Sequence, residues 1–297
     1  LLAVSHDGRL YCMDASGQLR WSRRLEAPAS SRGPGGGRRS RRLYAAPLVD
    51  GEGHVYVGSD AGAFWSFDAK GKLRFRLDVE GEADVGATLG PDEQVLFAAG
   101  RWLYASSRDG ALRWRYEAGA KIFTSPAVDA RGQIYIGTQG DALHALAADG
   151  RLLWSFAAGG DIDSSPVIGD GGEILFGSDD AHVYALDHRG ALIWKREVGA
   201  RVRAPLALGS DGQVLVGVLG PRPGLRALDA RDGTERWRFN VSMSDSAQVG
   251  VRAGALVDRA GAIYFGAHDD HIYALTASGK LRWAIDVMGD VDAPAIL

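Results

Sequence analysis

One sentence recurs along this chain, and its period limits the fold more than any other feature. The stretch YALDHRGALIW (184–194) has close variants in HALAADGRLLW ending at Trp154, YASSRDGALRW ending at Trp114 and YALTASGKLRW ending at Trp283. The aromatic closing each copy falls at Trp21, Phe75, Trp114, Trp154, Trp194, Trp237 and Trp283, at spacings of 54, 39, 40, 40, 43 and 46 residues. A period near forty belongs to a propeller or to a helical array. The local pattern decides between them. In 163–196, residues 163–170 read as a strand, GG as a turn, EILFG as a strand, SDDA as a turn, HVYALD as a strand, HRG as a turn and ALIWKRE as a strand. Short apolar or alternating runs split by Gly and Asp, with no helical period, give four antiparallel strands per unit. One such sheet cannot bury both faces alone, so the copies must stack.

The expected fold is therefore all-β, a seven-bladed β-propeller in one domain over 1–297. Blades 2 to 7 span 44–77, 84–116, 123–156, 163–196, 203–239 and 252–286. Blade 1 combines 291–297 with 1–25, because GDVDAPAIL at the end matches a first strand and the opening residues supply the other three. Pairing of the two terminal segments removes open sheet edges. A few further residues are expected before Leu1 and after Leu297, and any targeting segment would lie outside this sequence. The aromatic column reads as packing between neighbouring blades, a role for which a phenylalanine, as at Phe75, suffices.

Hydrophobic residues make up 46% of the 297, enough for a large core. The net charge of −3 gives no global argument for nucleic acid. A single cysteine, Cys12, rules out an internal disulfide and any multi-cysteine metal site. No apolar run reaches membrane-spanning length, and the chain is expected to be a monomer.

The copy ALDARDGTERW (227–237) carries the A-x-D-x-x-x-G-x-x-x-W signature, and the other copies are that signature shortened by one residue. In this the chain resembles the pyrroloquinoline-quinone (PQQ)-type propeller repeat superfamily, over essentially its whole length. That superfamily includes quinoprotein dehydrogenases, the outer-membrane-assembly propeller lipoprotein and many extracytoplasmic propellers. The resemblance implies a periplasmic or other extracytoplasmic location, and PQQ as the one cofactor to consider. The dehydrogenases resemble a longer eight-bladed ring with adjacent cysteines and a Glu–Asn–Asp calcium set. Here no Cys–Cys pair exists and Asn occurs once, at Asn240. No bound cofactor and no catalysis are therefore expected.

Function should lie where the copies differ. Nine residues beyond each closing aromatic, with the two insertion-bearing copies aligned on the downstream turn, stand Tyr44, Asp84, Phe123, Asp163, Arg203, Arg252 and Asp292. This column is expected to ring one mouth of the central channel, beside neighbours that stay apolar at Ile122, Ile162, Val202 and Val251. It is the candidate ligand-binding site, and Arg203 with Arg252 is expected to accept a carboxylate. The alternative is a set of charges that pair with one another across wet surface. The long loops 27–42, 240–248 and 219–225 are expected on the same side. The first holds five arginines and no acid, and reads as a solvated loop, with an acidic partner as the alternative. His6, His268 and His271 lie on equivalent turns, but Asp is ordinary there and no metal site is expected. The expected function is a non-catalytic scaffold or sensor module with a protein partner or small anionic ligand on the looped side. Binding of PQQ or another small anion, and a part in outer-membrane protein assembly, are the alternatives.

Overall fold

The computed structural model describes residues 1–25, 43–242 and 250–291. Seven antiparallel sheets follow one another along the chain as the blades of a seven-bladed β-propeller, six with four strands and the first with three among the described residues. The segment 291–297 expected to complete blade 1 lies outside the described residues beyond Val291, as do Asp292 and the insertion 27–42. Among the described residues helix is limited to two 3-10 turns, Pro91–Glu93 and Ser210–Gly212, and none is long and apolar enough to cross a membrane. Packing divides the chain into two compact units, Leu1–Ile134 with Leu146–Leu153 and Tyr135–Ala145 with Trp154–Leu297.

Each unit holds its own core. In the first, Phe64 and Phe97 of successive blades stack at 3.7 Å between centroids, over the buried Tyr56, Val95 and Tyr104. In the second, Leu175, Val183 and Trp194 of blade 5 pack against Val214, Val216 and Leu228 of blade 6. Phe156, two residues beyond its column tryptophan, sets its edge against Phe176 and Tyr184, and Phe239 repeats this against Phe265 and Tyr273. A second aromatic position thus accompanies the first, on the same face of the fourth strand.

The turns follow from their residues. In blade 5, Asp187 Oδ1 accepts the backbone N–H of Arg189 and of Ala191 at 2.8 and 2.9 Å. Gly190, at φ +84°, then closes the turn in a conformation costly to any residue with a Cβ. The same carboxylate cradle recurs at Asp50, Asp68, Asp129 and Asp258. Just after the turn the fourth strand carries a register shift against the third, at Ala185/Leu186 in blade 5. That shift leaves Leu192 and Ile193 both exposed before Trp194 turns inward at 9% exposure.

The first strands are shorter than the pattern suggests. Only Val167–Ile168 of the expected strand 163–170 pairs, and Leu48–Val49, Ala127–Val128 and Ala207–Leu208 are equally brief. Each begins one or two residues after a proline, Pro47, Pro126, Pro166 or Pro205, which has no N–H to give a ladder. Thr88–Leu89 and Leu256–Val257 are as brief without a proline, so the residues upstream run without strand pairing whether or not one is present, and that is where the candidate column sits.

The aromatic column does more than pack, which corrects the reading of it as pure apolar surface. Trp154 donates its indole N–H to His188 O of the next blade at 3.1 Å. Trp21, Trp114 and Trp194 do the same to Ala69 O, Ala148 O and Ala230 O, the equivalent turn carbonyls. Trp237 reaches its neighbour through Gln213, whose Oε1 accepts the indole and whose Nε2 donates to Ala277 O. The Phe75 ring has no N–H, and there Arg74 Nη1 donates to Arg108 O at 2.8 Å instead. Trp283 stands apart at 40% exposure.

Candidate functional site

Asp84, Asp163, Arg203 and Arg252 are each positioned by a lock beside them, formed at Gly58, Gly137, Gly177 and Gly217. A glycine ends the second strand of a blade, and the first residues leading to the next blade lie directly on it. A Cβ at Gly177 would come within 2.1 Å of Val202, and one at Gly137 within 2.3 Å of Ile162. The backbone closes the same contact, Ile162 and Val202 donating to Thr138 O and Ser178 O at 3.0 and 3.2 Å. Ile122, Ile162, Val202 and Val251 are all buried to 1% exposure or less, as the repeat predicts. The next residue along, Asp84, Asp163, Arg203 or Arg252, is thereby placed without use of its own side chain.

In the first unit, Tyr44 is 50% exposed and its ring lies edge-on to His6 at 4.6 Å. Asp84 and Phe123 meet through Lys121, a residue outside the predicted column. Its ammonium donates to Glu82 at 3.0 Å and Asp84 at 3.3 Å, and sits 4.3 Å over the Phe123 ring. Burial pushes the Asp84 carboxyl up from its ordinary value, against the pull of Lys121. Its Oδ1 has no hydrogen-bond partner among the described residues.

In the second unit, Arg203 is engaged from within the chain. Its Nε donates to Asp179 Oδ1 at 2.8 Å, its Nη2 bonds Asp179 Oδ2, and Asp163 lies 3.8 Å away. Asp163 also accepts from Gln139 at 3.1 Å. Burial and the charges of Asp163, Asp141 and Asp179 push the Asp161 carboxyl up, while Asp179 chiefly holds Arg203 in its charged form. Arg252 is exposed, and among the described residues no ion pair joins it to these groups. The carboxylate expected for Arg203 is thus largely supplied by Asp179, a residue that in sequence reads only as part of a turn.

A groove opens beside this cluster. Cavities of about 430 and 520 Å³ share Gly199, Ala200 and Pro221, and run from Arg203 along the junction of blades 5 and 6 to Arg238. One wall is the loop Leu219–Pro223, which the sequence marks as an insertion. The predicted histidine turns hold no ligand set. His271 Nδ1 lies 2.6 Å from Asp269 O, and Asp269 accepts from Tyr273 and from Ser242 N. Among the described residues no three His, Cys, Asp or Glu come together to hold a metal ion.

Blade geometry and turn signature together define a PQQ-type repeat propeller. The family profile described as outer membrane protein assembly factor BamB matches residues 1–100, 99–220 and 221–296, and the chain belongs to that family. The crystal structure of BamB from Moraxella catarrhalis superposes with a TM-score of 0.76 at 18% identity, over 100% of this chain and 85% of that one. A europium-containing methanol dehydrogenase superposes with a TM-score of 0.80 at 12% identity, over 99% and 77%. At such identities the likeness is one of fold. No curated protein matches the sequence.

Proposed function

We propose that this chain is a non-catalytic propeller that binds another protein through the looped ends of its blades, in an extracytoplasmic compartment. The groove walled by Leu219–Pro223 carries this reading: it sets apolar surface at Ala200, Leu219 and Pro221 inside an arginine-rich rim. Membership of the BamB family supports an interaction role of this kind, and makes a part in outer-membrane protein assembly the second reading. A photo-crosslinking residue at position 222, tested in the native cell against one at position 231 on the opposite end of blade 6, checks the proposal. Discrete protein adducts from position 222 alone are expected, in an extracytoplasmic fraction. Equal adduct patterns from both positions, or saturable binding of PQQ by the purified chain in the presence of calcium, would overturn it.

A further inference from the structure

Five guanidiniums line the groove, those of Arg201, Arg203, Arg222, Arg226 and Arg238. They face four carboxylates, of which Asp163 lies 3.8 Å from Arg203. Both oxygens of Asp179 are taken by Arg203, leaving Arg201 no nearer than 3.9 Å. Both oxygens of Glu235 are taken by Arg226 and Arg238, at 3.0 and 2.6 Å. Glu197 is exposed on the rim. Arg201, with a side chain 65% exposed, and Arg222 make no hydrogen bond to an acid among the described residues. Two cations thus flank a floor built from the buried Val198 and Val218 with Ala200, Leu219 and Pro221.

The wall between them is held in place. Leu219 bridges to Gly250, Val241 donates to Pro223 O at 3.1 Å, and Pro221 and Pro223 fix their own φ. A groove that is already shaped loses little ordering entropy when it is filled.

We propose that this groove binds an extended, acidic segment of a partner protein. The segment lays apolar side chains on Ala200, Leu219 and Pro221 and places carboxylates against Arg201 and Arg222, where the bidentate fork of arginine suits them. The proposal rests on the protein-interaction reading above. A polyphosphate backbone is the poorer match, because it has nothing for the apolar floor and would meet Glu197 and a chain of net charge −3.

The test is selection of a random dodecapeptide library on the purified chain, followed by anisotropy titration of the enriched peptide. The titration is repeated on Arg201→Glu/Arg222→Glu and on Arg231→Glu. Both groove residues are exposed, and an unchanged melting curve verifies that the variant is folded. Enriched peptides should alternate acidic and apolar residues, weaken with salt, and bind the groove variant about tenfold or more weakly, as loss of two charge-assisted contacts implies. They should bind Arg231→Glu as they bind the parent. Acidic peptides indifferent to the groove variant would remove the site while leaving an interaction role intact. No enrichment at all would remove both. A single-stranded oligonucleotide that binds the parent and loses the groove variant would reassign the site to nucleic acid and overturn the peptide proposal.

Discussion

Replacing Trp154 separates the two things its ring does. The indole N–H bonds His188 O at 3.1 Å, and the ring presses on Gly190 so closely that a Cβ there would lie 2.8 Å from Cδ2. Trp154→Ala removes both, and for a half-buried ring about 3 kcal/mol of destabilisation is expected, the lower end for large-to-small core changes. Trp154→Phe keeps a ring over Gly190, as Phe75 keeps one over Gly110, but leaves His188 O without its donor. That loss alone is about 1 kcal/mol, so Phe should fall measurably short of the parent. Gly190→Ala should cost about 1–3 kcal/mol, from a side chain forced to φ +84° and from overlap with the indole. Combined with Trp154→Ala, the overlap vanishes, and the double variant should be more stable than the sum of its parts by about 1 kcal/mol or more. Urea unfolding followed by far-UV circular dichroism gives all four midpoints. A Phe variant identical to the parent would mean the indole bond adds nothing. Strict additivity of the cycle would mean the ring does not press on the turn.

Gly177→Ala should destabilise by about 1–3 kcal/mol, because the new methyl would meet Val202 at 2.1 Å; Val202→Ala in the same chain should recover part of this, and no recovery refutes the lock. The turn carboxylates of Asp68, Asp187 and Asp258 are held below their ordinary value by the backbone N–H groups of Lys72, Ala191 and Ala262. Their stabilisation is complete above the unfolded carboxylate range and is lost as pH falls through the lower folded values, so the melting temperature should stay level down to about pH 5 and drop below about pH 4. A curve that stays level to pH 2 would refute that account. Asp84 runs the other way: its raised pKa means that ionisation disfavours the fold. Asp84→Asn should therefore melt no lower than the parent at pH 7, with any gain shrinking as pH falls through the raised value; a clear loss at pH 7 would show that the bond to Lys121 dominates.

The blade count, the turns and the column were legible because each depends on local residue chemistry repeated at a fixed period. Gly190 after Asp187 announces a turn, and the count of nine residues from each tryptophan lands on Asp163 and Arg203 beside buried neighbours, as expected. What the sequence did not disclose were partners supplied by other blades. The acceptor of Trp154 is a backbone carbonyl, which has no sequence signature. Asp179 takes Arg203 from a turn one blade earlier, and its place beside an ordinary turn aspartate hid that role. The first strands pair over two residues even where no proline precedes them, as at Thr88–Leu89 and Leu256–Val257, so their shortness is not written in one residue type. The groove's arginines come from three separate stretches, and only the loop 219–225 advertised it.

The glycine lock has a consequence for how such a surface can change. The fit of Val202 on Gly177, with its backbone bond to Ser178, secures the chain without using the side chain of Arg203. Each junction built on such a glycine therefore offers an address whose occupant can be rewritten while the hinge pin beneath it stays untouched. Recognition on this scaffold can drift one position at a time, from Asp84 to Asp163 to Arg203, with folding and specificity answering to different residues.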